Sequence, residues 1–123
     1  MSLEEKIVSA VETYLASFEE KDLDSIISLF TEDTWIEDPV GADRKVGHDA
    51  LREFYQFGID MGAKGTLESD IRVAGNQAAF AFSMAVDTGD GALVVRPINV
   101  MTFNDEGKIT SMRAFWGPRN QSE

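Results

Sequence analysis

The sequence predicts an α+β fold in which three helices precede a curved, mostly antiparallel sheet. The first observation is a change of period: apolar residues recur at helical spacing up to about Gly62 and alternate with polar residues from Thr66 onward. The second is a set of Gly- and Asn-rich turn signals between the alternating stretches. A chain of 123 residues has room for one domain. We therefore expect a single domain over residues 1–123, with helices on one face of a bent sheet and an apolar cavity between them.

The composition narrows the possible functions. A net charge of −11 repels nucleic acids, which are bound by neutralising phosphates, and disfavours anionic membranes. The chain has no cysteine and one histidine, which argues against a disulfide frame and against thiolate or histidine-rich metal sites. No apolar stretch approaches the length of a membrane span, and no targeting segment is recognised. We expect a cytoplasmic protein whose partner is a neutral, hydrophobic small molecule rather than nucleic acid or a membrane.

Three helices are predicted in the first half of the chain. Ser2 and Glu5 form a capping-box pattern that starts the first helix. Asp22 can cap a short second helix, and a third helix begins near His48 and ends before Gly65. The apolar faces of the three consist of Leu3, Ile7, Ala10, Val11, Tyr14 and Phe18; of Leu23, Ile26, Ile27 and Phe30; and of Leu51, Phe54, Tyr55 and Ile59.

Two polar residues in these helices are candidates for function. Tyr14 lies on the apolar face of the first helix, and a buried phenol needs a partner for its hydroxyl. That partner is either a backbone carbonyl or a ligand. His48 lies in the first turn of the third helix, where we expect a solvated side chain rather than a ligand-binding one.

The second half of the chain is predicted to be strands. They lie near Leu67–Ala74, Gln77–Asp87, Ala92–Phe103 and Lys108–Trp116. Pro97 implies a bulge or an edge in the third of them. An earlier short strand begins at Trp35 after a polar turn at residues 31–33, and residues 118–123 are predicted to form a frayed tail.

The strand that begins at Trp35 carries the most informative residue, Asp38. Side chains alternate along a strand, so Asp38 shares the face of Ile36, which suggests that it points inward. Pro39 and Gly41 end the strand, so Asp38 is predicted to lie at its end, where a ligand can reach it. A carboxylate on an apolar wall is costly unless it is paired or must take a proton. Asp38 is thus either a general base or a carboxylate that caps a turn.

Five short runs occur in a characteristic order and spacing. They are Asp22-Leu23-Asp24, Glu37-Asp38-Pro39-Val40-Gly41, Arg52-Glu53-Phe54-Tyr55, Ala78-Ala79-Phe80-Ala81-Phe82 and Ser111-Met112-Arg113-Ala114. With them the chain resembles the bacterial ketosteroid isomerases of the nuclear-transport-factor-2-like superfamily, from about Glu4 to Gly117. The resemblance implies a cone-shaped, cystatin-like fold, a homodimer and no cofactor or metal. It also implies the conversion of 3-oxo-Δ5-steroids into their Δ4 isomers.

The resemblance also implies a role for particular residues. Asp38 matches the base that moves a proton from C4 to C6, and Tyr14 matches the phenol that donates to the dienolate oxygen. Tyr55 matches a tyrosine that holds Tyr14 in place. The positions that match the steroid-binding pocket are Phe54, Phe82, Met84, Met112, Ala114 and Trp116.

The chain departs from the family pattern at Asn99. This position matches a protonated aspartic acid, which forms the oxyanion pair together with the tyrosine. The amide is also a donor and is always neutral, so Asn99 can fill the same place without a shifted pKa. It should donate less strongly than a carboxylic acid. A relative that binds steroid-like molecules without isomerising them is therefore an alternative.

Other enzymes on the same fold are further alternatives. Dehydratases, epoxide hydrolases and polyketide cyclases generally require additional polar groups, such as a His-Asp pair or an Asp-Arg-Asp relay. His48 is the only histidine, and Arg96 is predicted to lie on the face opposite Asn99. These placements favour the isomerase.

Overall fold

The computed structural model describes residues 1–122, and Glu123 lies outside the described residues. The three α-helices are α1 (Leu3–Glu19), α2 (Leu23–Ile27) and α3 (Gly47–Asp60). The strands are β1 (Phe30–Glu37), β2 (Lys45–Val46), β3 (Lys64–Leu67), β4 (Arg72–Ala74), β5 (Gln77–Asp87), β6 (Ala92–Val95), β7 (Ile98–Phe103), β8 (Ile109–Phe115) and β9 (Gln121–Ser122). A short 3-10 helix spans Pro118–Asn120. The α+β class is confirmed.

The helix starts follow the local sequence. Ser2 and Glu5 form the predicted capping box, with Glu5 N–H donating to Ser2 Oγ at 3.1 Å and Ser2 N–H donating to Glu5 Oε1 at 3.1 Å. Asp22 caps α2 by accepting a hydrogen bond from Ser25 N–H at 3.1 Å. Both caps satisfy backbone donors that a helix start leaves unpaired.

One continuous sheet runs in the order β2-β1-β8-β7-β5-β6-β9, and β3 and β4 also pair with β5. Every pairing is antiparallel except that of β1 with β8, in which Ile36 lies opposite Met112. The helices pack on one face of this sheet through a single core. Its largest fully buried side chains include Tyr55, Phe80, Phe103, Ile36, Leu51, Met101 and Met112. The fold is therefore the expected set of helices over a curved, mostly antiparallel sheet.

Several predicted boundaries are wrong. Residues 31–33 belong to β1, and Phe30 begins that strand instead of sitting on the face of α2. The strand predicted over Leu67–Ala74 is two strands, β3 and β4, and Gly65 lies inside β3. Apolar periodicity located these segments but could not show where strand pairing starts and stops, because pairing depends on the partner strand.

The strand predicted over Ala92–Phe103 is interrupted at Pro97. It becomes β6 and β7, although both keep one register against β5: Ala81 pairs with Ile98, and Met84 pairs with Val95. Proline has no N–H to donate, so the ladder of backbone hydrogen bonds to β5 is interrupted there. The Pro97 carbonyl still accepts from Phe82 N–H at 3.2 Å. The proline thus interrupts the strand without a register shift.

The predicted frayed tail is also wrong for the described residues. Pro118–Asn120 form the 3-10 helix, and β9 pairs with β6, with Val95 opposite Gln121. The pairing depends on β6 being an unpaired edge, which only the assembled sheet reveals. Within residues 1–122, no helix is long and apolar enough to cross a membrane.

Candidate active site

An apolar cavity of ≈ 300 Å³ opens between the helices and the sheet. Its volume lies at the lower end of the range of about 300–1,000 Å³ that is usual for small-molecule sites. Its polar side chains are those of Tyr14, Asp38, Tyr55 and Trp116. The remainder of the lining consists of Phe18, Phe54, Phe57, Gly58, Met61, Ala63, Phe82, Met84, Val86, Val95 and Pro97.

Asp38 is brought into this cavity by the end of β1. Ile36, two residues earlier, is fully buried, so the alternation of the strand carries Asp38 inward, as predicted. After Pro39 the chain rejoins β8, since Val40 N–H donates to the Ala114 carbonyl at 2.8 Å. The carboxylate therefore stands at a fixed point of the cavity wall and does not cap a turn.

A hydrogen bond from Trp116 orients Asp38. The indole Nε1–H donates to Asp38 Oδ1 at 2.8 Å. Burial raises the pKa of the Asp38 carboxyl above its usual value, and both the Trp116 hydrogen bond and the positive charge of Lys45 oppose that rise. Oδ2 has no such indole donor and is the oxygen better placed to accept a proton.

Tyr14 and Tyr55 meet beneath the cavity. They come from α1 and α3, are both buried, and their hydroxyl oxygens are 3.1 Å apart. Their rings pack edge to face, with centroids 5.8 Å apart. The partner of the Tyr14 hydroxyl is thus another phenol and not a backbone carbonyl.

The Tyr14 phenol remains protonated throughout the ordinary pH range. Burial raises the pKa of Tyr14 far above its usual value, and the negative charge of Asp38 raises it further, while hydrogen bonding from Tyr55 and Asn99 acts in the opposite direction. Burial likewise raises the pKa of Tyr55. Two protonated phenols share one hydrogen bond, so one O–H is left to donate elsewhere.

Asn99 lies in β7 and is 1% exposed. Its Nδ2 donates to Met112 Sδ at 3.3 Å, and its Oδ1 has no hydrogen-bond partner among the described residues. A thioether is a weak acceptor, so this amide is only loosely satisfied. The same sulfur lies 3.8 Å from the Tyr55 hydroxyl, so the amide lies close to the tyrosine pair.

The residues expected to bind substrate divide into two groups. Phe54, Phe82, Met84 and Trp116 line the cavity. Met112 and Ala114 lie behind its wall, both nearly fully buried, as does Asn99. In the described structure Met112 supports the polar cluster, because its sulfur accepts from Asn99 and lies 3.8 Å from the Tyr55 hydroxyl.

The other polar candidates have structural roles. The His48 ring is half-buried and not solvated as expected, and its Nε2 donates to the Phe30 carbonyl at 3.0 Å, which ties α3 to β1. Arg96 points outward, as expected, and bonds to Ser122 Oγ at 3.0 Å. Within residues 1–122, no group of three or more His, Asp or Glu side chains is arranged to hold a metal ion.

The sequence did not reveal the Trp116–Asp38 hydrogen bond. The sequence predicts only that Trp116 lines the pocket, whereas in the structure its indole N–H donates a hydrogen bond to the Asp38 carboxylate. An indole N–H that becomes partly buried needs an acceptor, and this is the signal in the sequence that points to such a partner. Choosing Asp38 as that acceptor needs the parallel pairing of β1 with β8, which sets Glu37 opposite Arg113.

Helices closed over a curved sheet around such a cavity define the nuclear-transport-factor-2-like fold. The SnoaL-like domain matches residues 11–112, and the chain therefore belongs to this family. The chain is 45% identical to the Steroid Delta-isomerase of Nocardioides simplex over 114 residues, which are 92% of this chain and 91% of that protein. This similarity confirms the resemblance to the ketosteroid isomerases.

A solved structure extends the comparison to another chemistry. The chain matches the epoxide hydrolase/cyclase-like enzyme SalBIII, which has a role in pyran ring formation in the polyether salinomycin, with a TM-score of 0.91 and 30% identity. The match covers 99% of this chain and 98% of that one. The same fold thus occurs in enzymes that act on different substrates.

Proposed function

We propose that the protein is a steroid delta-isomerase that converts 3-oxo-Δ5-steroids into 3-oxo-Δ4-steroids. The observation that supports this most directly is that a half-buried carboxylate, Asp38, and a protonated phenol, Tyr14, line one apolar cavity. Moving a double bond next to a ketone needs a base for the carbon-bound proton and a donor for the oxygen that becomes negative. The 45% identity to a Steroid Delta-isomerase supports the same reaction.

The reaction begins when the Asp38 carboxylate takes the proton from C4. The C–H electron pair forms the C3–C4 double bond, and the carbonyl electrons move to the C3 oxygen, which gives a dienolate. Tyr14 donates a hydrogen bond to that oxygen, and Tyr55 holds the Tyr14 hydroxyl from behind at 3.1 Å. Asp38 then returns the proton to C6, the carbonyl re-forms, and the double bond lies between C4 and C5.

The apolar lining has two consequences for this chemistry. It raises the pKa of Asp38, which makes the carboxylate a stronger base than an exposed one. It also excludes water that would exchange with the carried proton. The steroid rings would lie against Phe54, Phe82 and Met84, which line the cavity.

Asn99 is proposed as a second oxyanion donor. Its amide lies beside the tyrosine pair, and its present acceptor, the Met112 sulfur, is a weak one. A substrate oxygen that gains negative charge would be a better acceptor, so the amide can turn toward it at little cost. No cofactor or metal is required for any of these steps.

The test is the absorbance of the conjugated enone, which the product has and the starting ketone lacks. Asp38→Asn should lose roughly 10²–10⁴-fold in turnover because a general base is removed. Asp33→Asn is the matched control, since Asp33 is an exposed carboxylate on β1, the strand that leads to Asp38. Turnover of a Δ5-3-ketosteroid by Asp38→Asn within a few-fold of the parent would refute the role of Asp38.

A cyclase or epoxide hydrolase is the second candidate, because the match to SalBIII favours it. Such a reaction needs an acid to protonate an epoxide oxygen as well as a base. The buried, protonated tyrosine pair beside Asp38 could supply that acid. Product analysis after incubation with a Δ5-3-ketosteroid and with a hydroxy-epoxide separates the two candidates.

We also infer that the protein acts as a homodimer. Ile98 and Phe115 lie opposite each other on β7 and β8, and they are 50% and 41% exposed on the face of the sheet away from the helices. Adjacent exposed apolar side chains favour association. Sedimentation equilibrium should give twice the monomer mass, and Phe115→Glu should shift it toward the monomer.

A further inference from the structure

The side chain of Lys45 starts on the same face of the sheet as that of Asp38, the proposed base. It lies on the short strand β2 directly opposite Ile36 of β1 in an antiparallel pair. Directly opposed residues share a face, and Ile36 is fully buried, so Lys45 starts from the inner face. Asp38 follows Ile36 by two residues and shares that face. Lys45 and Asp38 are thus diagonal neighbours across the β1–β2 pair.

The ammonium group of Lys45 rests against the wall of the cavity. Its Nζ lies 5.0 Å from the ring centroid of Phe54, a cavity-lining residue. A cation held over an aromatic face is attracted by the ring. Within residues 1–122, the ion pairs are formed by Arg52, Lys64 and Arg96, so no carboxylate oxygen lies within ion-pair distance of Lys45 Nζ.

The groups that face Asp38 from the other elements are neutral. Tyr14 of α1 and Tyr55 of α3 are protonated phenols, and Trp116, which follows β8, contributes an uncharged indole N–H. They line the cavity together with Asp38.

The remaining charged groups nearby form no ion pair with Lys45 or Asp38 within residues 1–122. On β1, Glu37 lies on the opposite face, and its Oε2 accepts from Gly41 N–H at 3.2 Å. Arg113 of β8 is exposed, with its guanidinium 5.1 Å from the Phe115 ring. Glu53 and Asp60 of α3 line a surface groove together with Lys45 and Phe54.

We propose that Lys45 is a positioning residue that keeps Asp38 ionised before substrate binds, acting as a counter-charge from beyond ion-pair distance. The inference rests on the proposed function, in which Asp38 must be a carboxylate to take a proton. A direct ion pair would occupy the carboxylate oxygens and weaken the base. A cation behind an apolar wall favours ionisation and leaves the oxygens free, because charges interact at longer range in a low dielectric.

A steroid-free measurement tests this directly. Trp116 Nε1–H donates to Asp38, so its NMR signal should report the ionisation of Asp38 as the pH changes. The chain has two tryptophans, and the indole of Trp35, which stacks with Arg44 at 3.8 Å, serves as the internal reference. Lys45→Met should move the Trp116 midpoint to higher pH, whereas Lys45→Arg should leave it near that of the parent.

Lys64→Met is the matched control for total charge. Lys64 pairs with the exposed Glu19 at 3.6 Å, and its loss changes the net charge by the same single unit as the loss of Lys45. An unmoved Trp116 midpoint in Lys45→Met would overturn the inference. So would an equal shift in Lys64→Met, or a Trp116 signal that shows no titration in the parent.

Kinetics give a second signature that a merely structural role would not produce. In Lys45→Met, the acid limb of kcat/KM should move to higher pH, with about a tenfold loss at acidic pH for each unit of movement. Above that limb the rate should equal or exceed the parent rate, because the less stabilised carboxylate is the stronger base. A uniform loss at every pH would contradict the inference. If the NMR midpoint moves but no steroid is isomerised, the proposed function fails and the role of Lys45 stands.

Discussion

Removing the Tyr14 hydroxyl tests the oxyanion site with the least disturbance of the fold. Tyr14→Phe keeps the ring, whose centroid lies 5.2 Å from that of Phe18 and 5.8 Å from that of Tyr55. It deletes the oxygen that lies 3.1 Å from the Tyr55 hydroxyl. Tyr55 then keeps only a weak contact with the Met112 sulfur at 3.8 Å, so we expect a stability loss of about 1–3 kcal/mol.

The expected loss of activity differs between the two tyrosines. Tyr14→Phe removes a donor that contacts the oxyanion, and such a loss costs roughly 10²–10³-fold in kcat. Tyr55→Phe removes one neutral hydrogen bond to Tyr14, worth about 0.5–1.5 kcal/mol, or roughly 2- to 13-fold. Because the interaction strengthens as the oxyanion forms, kcat should fall more than KM rises.

A double-mutant cycle separates direct from indirect action. If Tyr55 acts only through Tyr14, then Tyr14→Phe/Tyr55→Phe should be no slower than Tyr14→Phe alone. The assay is steady-state turnover of one Δ5-3-ketosteroid, with thermal unfolding of each variant as the control for folding. The reasoning is refuted if Tyr55→Phe costs as much as Tyr14→Phe, or if the two losses multiply in the double variant.

Three further outcomes are expected. Because burial raises the pKa of Asp38 above its unfolded value of about 3.9, the ionised carboxylate destabilises the fold increasingly as pH rises from the unfolded to the folded pKa. Asp38→Asn should therefore raise Tm at neutral pH, and a gain that persists at about pH 3 would contradict this origin. Asn99→Asp should be at least as fast as the parent near neutral pH and gain an alkaline limb as the new acid ionises. If Asn99→Ala instead matches the parent at every pH, Asn99 is not an oxyanion donor. Gly107→Ala should destabilise the β7–β8 hairpin by about 1 kcal/mol or more, because φ is +81° and a Cβ would lie 2.9 Å from Lys6 Cβ. Gly117→Ala, which meets nothing within 4 Å, should leave Tm unchanged in the same thermal scan.

Local pattern predicted much of the fold because helices and caps depend on neighbours in sequence. The Ser2–Glu5 capping box, the apolar stripe of α1 that buries Tyr14 and the full extent of β5 were all available from spacing. The inward direction of Asp38 followed from alternation with Ile36. The catalytic roles of Asp38, Tyr14, Tyr55 and Asn99, the homodimer and the cytoplasmic location stay predictions.

The errors lie where one segment depends on a distant one. The parallel pairing of β1 with β8, the division of the predicted strands at residues 68–71 and 96–97, and the docking of β9 on β6 are all choices between strands far apart in sequence. A strand shows the same alternation of apolar and polar residues whichever strand it pairs with, so its own residues do not identify its partner.

The sequence by itself determined the class of fold, the burial of Tyr14 and the inward carboxylate, since each follows from a local period. Only the tertiary structure decided what surrounds that carboxylate. The β1–β8 pairing brings Trp116 to Asp38 at 2.8 Å, and the β1–β2 register sets Lys45 opposite Ile36. The pKa of Asp38 depends on burial first and then on these neighbours, because solvation and charge act through space and not along the chain.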